Sequence, residues 1–342
     1  MFTTIVLVFY ALFFLSLSFT IYLYIRLVVA VKKGKDIPKW IYKLGHAVQG
    51  RIHVDYEEIT DANALKEIHW FLLIYLIVNL LVLAGFYYHG NSFPQAVYEC
   101  LKKQFFIVLV SMVLKSIGKF IVLTIRKNFH NSHDSHAYAS TNAFIGTVFL
   151  TSYVFMFCIM MSGLPAQPVP VTIQDTTIII GETKASELLE HGFTFEDKGA
   201  DSPITNPKND HFYYGQLLEV KRDDQSYGFM SLTPTGKDTD QLKNCVITYY
   251  RTPKDTHQMR EISINHVKLA NLKLQDFQTR KLIDIFEVNP ADYNVSDKDN
   301  NFILTIQTAD YDLWKRYLIE AKFNSDGSIE SYGVRAQHSM WE

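Results

Sequence analysis

The chain has 342 residues, of which 48% are hydrophobic and 20% charged, and a formal net charge of −2. That balance conceals two unlike halves, with a net charge of +6 before Pro165 and −8 from Pro165 onward. An acidic, hydrophilic second half argues against nucleic acid as a partner, because phosphate binding needs a cationic face.

In chain order, four apolar runs reach the roughly 20 residues needed to cross a bilayer: Phe2–Val31, Trp70–Tyr88, Gln104–Ile125 and Ala143–Gly163. The first lacks a preceding basic residue and a following small-residue cleavage site, so it reads as a span and not as a cleaved signal. Residues 1–164 are therefore expected to form a four-span helical membrane domain, with a long cytoplasmic loop at 32–69. Within that loop Ile37–Leu44 mixes Trp40 and Tyr42 with Lys39 and Lys43. This pattern suits an amphipathic stretch on anionic lipid, or a docking site for a cytoplasmic partner. Thr60 or Asp61 caps a helix that runs through Ala64, Leu65 and Ile68 into the second span.

Basic residues set the expected orientation. Arg26, Lys32, Lys33, Lys35, Lys39, Lys43, Arg51 and Lys66 lie in the first loop, and Arg126 and Lys127 in the third. The second loop carries only Lys102 and Lys103. The positive-inside rule then places loops one and three in the cytoplasm and both termini outside the plasma membrane.

Lys115 and Lys119 lie four residues apart on one face of the third span. Counted from either end of that run, Lys115 is about 15 Å deep at 1.5 Å per residue. Three readings stand: snorkelling to inner-leaflet phosphates, contact with a lipid or anionic ligand, and contact with a partner subunit. No Asp or Glu falls within the four runs, so no proton-relay pair or cation site is evident. In the third loop His130, His133, Asp134 and His136 are potential metal ligands, but their spacing matches no strong zinc pattern.

Met161–Pro170, with three prolines, ends the last span. Residues 165–342 are expected to fold as an extracytoplasmic α+β domain with helices on one face of an antiparallel sheet. Strands are expected at Val171–Gln174, Thr176–Ile180, Leu217–Lys221, Tyr227–Leu232, Val246–Arg251, Glu261–Val267, Phe302–Thr308, Arg316–Phe323 and Ile329–Arg335. Helices are expected from Thr183 to Gly192 and over Gln275–Glu287, and Asn324–Gly327 forms a turn. A weak repeat at an offset of about 94 aligns Ile178, Ile180, Leu188 and Leu189 with Leu272, Leu274, Leu282 and Ile283.

The run Ile178-Ile179-Ile180-Gly181-Glu182-Thr183-Lys184, followed by Leu188-Leu189 and Gly192-Phe193, resembles the strand, Gly-x-Thr, helix, Gly-Phe entry of many Gram-positive surface lipoproteins of unknown role. With the repeat, residues 171–335 resemble the tandem helix-plus-sheet domains of β-lactamase-inhibitor-like proteins. The resemblance implies binding and not catalysis, and it names no ligand, cofactor or functional residue.

The residues themselves point the same way. The second half holds no G-x-S-x-G elbow, H-E-x-x-H helix or phosphate loop. Cys245 reads as a packed thiol. Asp297, Asp299 and Asn301 begin like a calcium loop, but Phe302 stands where the glycine is needed, so a polar turn is expected. Tyr213, Tyr214, Tyr249 and Tyr250 are candidates to edge a binding surface, although paired tyrosines also pack ordinary strands. The expected function is a non-enzymatic, membrane-tethered binding protein, in contact with membrane lipids and with a protein or envelope component. It suits envelope sensing, complex assembly or immunity. The alternative is a transporter or channel component that uses Lys115.

Overall fold

The computed structural model describes residues 2–49, 61–125, 139–206, 215–253, 258–309 and 314–337. The chain divides into two compact units, Met1–Met161 and Ser162–Glu342.

In the first unit, α1 (Phe2–Lys33), α3 (Asp61–Tyr88), α5 (Gln104–Ile125) and α6 (Ala139–Ser162) are the long apolar helices. Each holds a stretch apolar and long enough to cross a membrane, so this is a multi-pass membrane protein. Their outward surfaces are lipid-like: Leu15, Leu81 and Phe120 are among the exposed residues, whereas Ser111, Thr141 and Thr147 are buried. The helices α1 and α6 run antiparallel, as shown by Thr20 against Thr151 and Tyr24 against Phe144.

Two shorter helices complete this unit. The helix α2 (Lys39–Gln49) bears out the amphipathic reading of Ile37–Leu44. Ile41 of α2, together with Ile37 just before the helix, packs into a cluster with Leu23, Leu27, Ile68, Phe71 and Phe144. Trp40 stacks on Tyr22 at 6.3 Å. Gly45 is required here, because a Cβ would lie 1.7 Å from the carbonyl oxygen of Ala139. The helix α4 (Phe93–Lys102) was not expected. The connection after α3 is only a short turn, and Gln95 Oε1 accepts the Ser92 N–H to start a new helix at once. Lys103 is the single residue between α4 and α5.

The second unit contains fourteen short strands among its described residues. A four-stranded antiparallel sheet has the order β10 (Val267–Lys268), β9 (Ile262–Ile264), β1 (Pro170–Ile173), β2 (Thr176–Ile179). An eight-stranded sheet runs β11 (Tyr293–Lys298), β12 (Asn301–Ile306), β13 (Arg316–Phe323), β14 (Ile329–Gln337), β8 (Val246–Arg251), β6 (Gln225–Thr233), β5 (Gln216–Arg222), β3 (Thr194–Phe195). The strands β4 (Pro203–Thr205) and β7 (Thr239–Gln241) pair as a small insertion. The helices α7 (Ala185–Glu190), α8 (Leu274–Thr279) and α9 (Leu282–Ile285) share one hydrophobic cluster with both large sheets. This is the expected α+β arrangement.

The repeat is real in topology. Each half consists of a hairpin, a helical segment and a four-stranded meander, and the halves meet at β1–β9 and at β8–β14. Its register differs from the expected 94. Lys184 N–H donates to Glu187 at the start of α7, and Lys273 N–H donates to Asp276 at the start of α8, an offset of 89. The aligned Ile and Leu residues were too uniform to distinguish the two registers, whereas the helix caps are specific.

Two expected elements change form and one strand was not expected. Glu261–Val267 is a hairpin, because Asn265 and His266 take positive φ values of 46° and 69° and turn the chain. The helix expected over Gln275–Glu287 breaks at Arg280, whose backbone is extended. The strand β11 was missed, since its sequence YNVSDK is polar and lies at a sheet edge. Asp299 and Asn300, at φ 54° and 59°, form the two-residue turn between β11 and β12, in accord with the polar-turn reading.

Candidate functional site

In the first unit, polar side chains meet at two levels of the α3–α5 contact. Asn79 on α3 and Gln104 on α5 form the core of one. Gln104 Nε2 donates to Asn79 Oδ1 at 2.7 Å and to the Cys100 carbonyl at 3.2 Å, and the Tyr75 hydroxyl donates to Gln104 Oε1. Asn79 Nδ2 donates to the Tyr75 carbonyl at 2.8 Å. A helix break frees backbone carbonyls, and in an apolar layer these must find donors. Here the Cys100 carbonyl keeps the Lys103 N–H as a donor at 3.1 Å, and Gln104 Nε2 adds a second. Lys102 pairs with Glu99 and lies 4.4 Å from the centre of the Tyr98 ring.

At the second level, Lys115 and Lys119 come together as their spacing implies, but with a partner that was not foreseen. Lys115 Nζ lies 3.1 Å, and Lys119 Nζ 3.4 Å, from Glu67 Oε1. The expectation that no carboxylate lies in a span is thereby corrected, because the candidate span Ala62–Tyr88 includes Glu67. The apolar run starts at Trp70, but the helix and its bilayer-compatible stretch start earlier. Lys115 is paired, so snorkelling is no longer needed to account for it. Glu67 Oε2 is buried and has no hydrogen-bond partner among the described residues.

The depth of these groups also changes. Lys102 and Lys115 are separated by about 13 residues, or about 20 Å of helix rise. A hydrocarbon layer is about 30 Å thick. A chain crossing the bilayer through α4 and α5 therefore cannot keep both ion pairs clear of that layer without thinning it or reaching outward. The candidate span Ala62–Tyr88 includes Glu67, and α4 ends one residue before the candidate span Gln104–Ile121, neither of which was evident in the sequence.

In the second unit, β8 sends its two tyrosines to opposite faces of the eight-stranded sheet. Tyr250 is fully buried and donates to the Tyr227 carbonyl at 2.8 Å, so burial pushes its pKa well up. It belongs to the core and is removed from the candidate surface. Tyr249 faces outward. The guanidinium of Arg335 on β14 lies 4.7 Å from the centre of its ring, and Arg251, on β8 itself, lies 4.9 Å from that of Phe229 on β6. Gly333, paired with Arg251, leaves space for the Tyr249 ring, which a Cβ there would meet at 3.2 Å. Burial raises the Tyr249 pKa, aided by Glu320 and opposed by the two arginines. Arg251 and Arg335 thus flank the line where the two repeats join. Sequence reasoning missed both, because an arginine on a strand carries no local signal. Tyr213 and Tyr214 lie outside the described residues, as do His130, His133, Asp134 and His136.

An open cleft of about 620 Å³ lies beside β1 and β9. Four of its lining residues are joined to one another: Arg222 donates to Asp175 at 2.7 Å and to Gln174 at 3.0 Å, and Gln174 donates to Glu261 at 2.8 Å, which also accepts from Tyr227 at 2.9 Å. Cys245 is buried, with its pKa pushed up to about 11, so little thiolate is present at neutral pH. All three cysteines are free thiols. No group of metal-binding side chains occurs among the described residues. No protein family, curated protein or solved structure matches the chain.

Proposed function

We propose that this protein is a membrane-tethered binding protein whose second unit, outside the cytoplasm, engages a protein or envelope component through the outer face of its eight-stranded sheet. The observation that carries this reading is the cluster of Tyr249, Phe229, Arg251 and Arg335 at the junction of the repeats. Arginine and aromatic side chains are enriched where interfaces hold their binding energy. Guanidinium groups stacked on rings are held in place before a partner arrives, which lowers the entropic cost of binding. The test is co-purification of the full chain from its native membrane. A partner retained by the unaltered protein should be lost with Arg251→Ala combined with Arg335→Ala, while the thermal midpoint stays within about 2–4 °C. Equal retention by both proteins would reject this face.

A second reading, a transporter or channel component, is favoured by the break at Lys103 and by Glu67 opposite Lys115. Discontinuous helices and charges within spans are typical of solute pathways. Solute flux in proteoliposomes that Lys115→Met abolishes would select this reading over the first.

A further inference from the structure

The strand β11 (Tyr293–Lys298) ends the eight-stranded sheet, and among the described residues only β12 pairs with it. The register shows which of its backbone groups that pairing uses. Lys298 and Asn301 flank the two-residue turn and stand opposite each other. In such a hairpin these two residues exchange backbone hydrogen bonds. Beyond the other end of β11 the Asp292 carbonyl accepts from the Gln307 N–H at 2.9 Å. The even-numbered residues thus bond to β12. The N–H and C=O groups of Tyr293, Val295 and Asp297 point away from the sheet, a row of donors and acceptors that can take another strand.

The side chains of these three residues lie on the core-covering face, because their cross-strand partners Ile306, Leu304 and Phe302 are buried. Val295 stands at the end of that face and is 44% exposed, against 0% for Leu304 opposite it. A further strand would cover it.

The strand is complementary to itself. In an antiparallel pair each outward-pointing residue must stand opposite another. Centring two copies on Val295 sets Val295 against Val295 and Tyr293 against Asp297, so all three outward-pointing residues of each copy exchange bonds. The same register brings Lys298 opposite Asp292 of the second copy, an attractive pair at each end. Shifting the register two residues toward the turn sets the Asp297 carboxylate against Val295, and four residues sets two Asp297 carboxylates face to face, which is repulsive. Shifting it the other way leaves Asp297 beyond the paired strand.

We propose that β11 is a self-association edge, through which two copies of this chain in one membrane join their eight-stranded sheets antiparallel about a two-fold axis at Val295. Strand alternation keeps the outer faces of both copies on the same side. One strand from each copy makes a small interface beside the roughly 1,000 Å² of a stable complex. The pairing therefore relies on confinement of the chains to a bilayer, which raises their effective concentration. It does not depend on a partner for the outer sheet face.

The experiment is cross-linking of the full chain in its native membrane with copper phenanthroline. The protein's own cysteines are buried. Opposed residues that exchange both bonds have Cα atoms about 5.5 Å apart, within disulfide range. Val295→Cys should therefore give a disulfide-linked dimer. Residues 294 and 296 each lie diagonal to their own copy, about 7–8 Å away. Asn294→Cys or Ser296→Cys alone should cross-link about tenfold less, because that distance exceeds the reach of a disulfide. Co-expressed, these two variants should link to each other, since 294 stands opposite 296. Val295→Pro removes an outward N–H and no bond to β12. It should lower Förster transfer between differently labelled copies to the level of an unrelated membrane protein, with the thermal midpoint within about 2–4 °C. If Val295→Pro disturbs the hairpin, the cysteine pattern still decides. Absence of a dimer from Val295→Cys, equal linking by all three single variants, or undiminished transfer in a folded Val295→Pro overturns the proposal. A link from Val295→Cys to a different protein also overturns it, and assigns the edge to another chain's strand.

Discussion

The two units of this protein solve the same problem in opposite solvents. In the first, the exposed residues include Leu15, Leu81 and Phe120, while Ser111, Thr141, Thr147 and Thr151 are buried between helices. In the second, Tyr227, Tyr250, Tyr317 and Tyr332 are buried in a core with Ile and Val, and the outward residues are largely polar. Water rewards apolar burial, so the second unit is held by area removed from water. Lipid gives no such reward, so helices associate through close backbone approach, small residues and hydrogen bonds. Gly45 against Ala139 and Gln104 against Asn79 are contacts of the lipid kind, and Phe277 among four aromatic rings is of the water kind.

Substitutions should therefore cost different amounts in the two units, and four tests sharpen or break the contrast. The largest effect is expected for Phe277→Ala, whose ring lies within 5.1–6.2 Å of Phe323, Phe302, Phe286 and Tyr332. It should lower the stability of a fragment spanning 162–342 by about 3–5 kcal/mol in urea unfolding. The same measurement tests whether that fragment unfolds cooperatively by itself. A fragment that is unfolded without substitution would show that the sheet core depends on the membrane unit.

Next comes Gly45→Val. A Cβ at this position falls 1.7 Å from a backbone oxygen that cannot turn aside. The overpacking should cost about 1–3 kcal/mol, seen as a lower thermal midpoint of the full chain in detergent with the midpoint of the soluble fragment unaffected. An unchanged midpoint would mean that α2 is not seated on α6.

Gln104→Leu should cost less, about 0.6–2 kcal/mol, the range found for hydrogen bonds between helices in lipid. It leaves the Tyr75 hydroxyl, Asn79 and the Cys100 carbonyl without the amide. A loss above that range would indicate that Gln104 holds the break at Lys103 in place. A gain in stability would indicate that the break is strained.

The smallest effect is expected from acid, and only in the second unit. Asp175 is held below the ordinary carboxylate range by its hydrogen bond from Arg222, Glu219 by Ser226 and then Lys221, and Asp326 by Ser328. A depressed folded pKa contributes stability that is fully present above the unfolded values of 3.8 and 4.5 and is lost as pH falls through the folded ones. The fragment's thermal midpoint should be flat from pH 7 to about 5 and decline below about 4. These groups are exposed, so screening keeps the decline modest, and 1 M salt should reduce it. A midpoint that rises on acidification would contradict the assigned ion pairs.

Hydropathy alone determined the two halves and the four membrane-length helices, because lipid demands about 20 uninterrupted apolar residues and such a run has few other uses. Alternation of β-branched residues likewise located most strands, and Val246–Arg251 coincides with β8. Patterns of this kind act over a few residues, and the physical cause is local. Tertiary structure decided the rest. Glu67 looks like an ordinary polar residue at the foot of a helix until α5 brings two lysines within 3.4 Å of it. Lys102 and Lys103 read as loop residues until the turn after α3 sends α4 back along it. Tyr249 and Tyr250 are indistinguishable in sequence, and only the pairing of β8 with β6 and β14 turns one into the core and the other outward. The repeat was visible as an echo of apolar residues, but its register came from two helix caps and from strands that meet across the sheet. Contacts between residues distant in sequence have no local signal, because the energy that selects them appears only when both partners are in place.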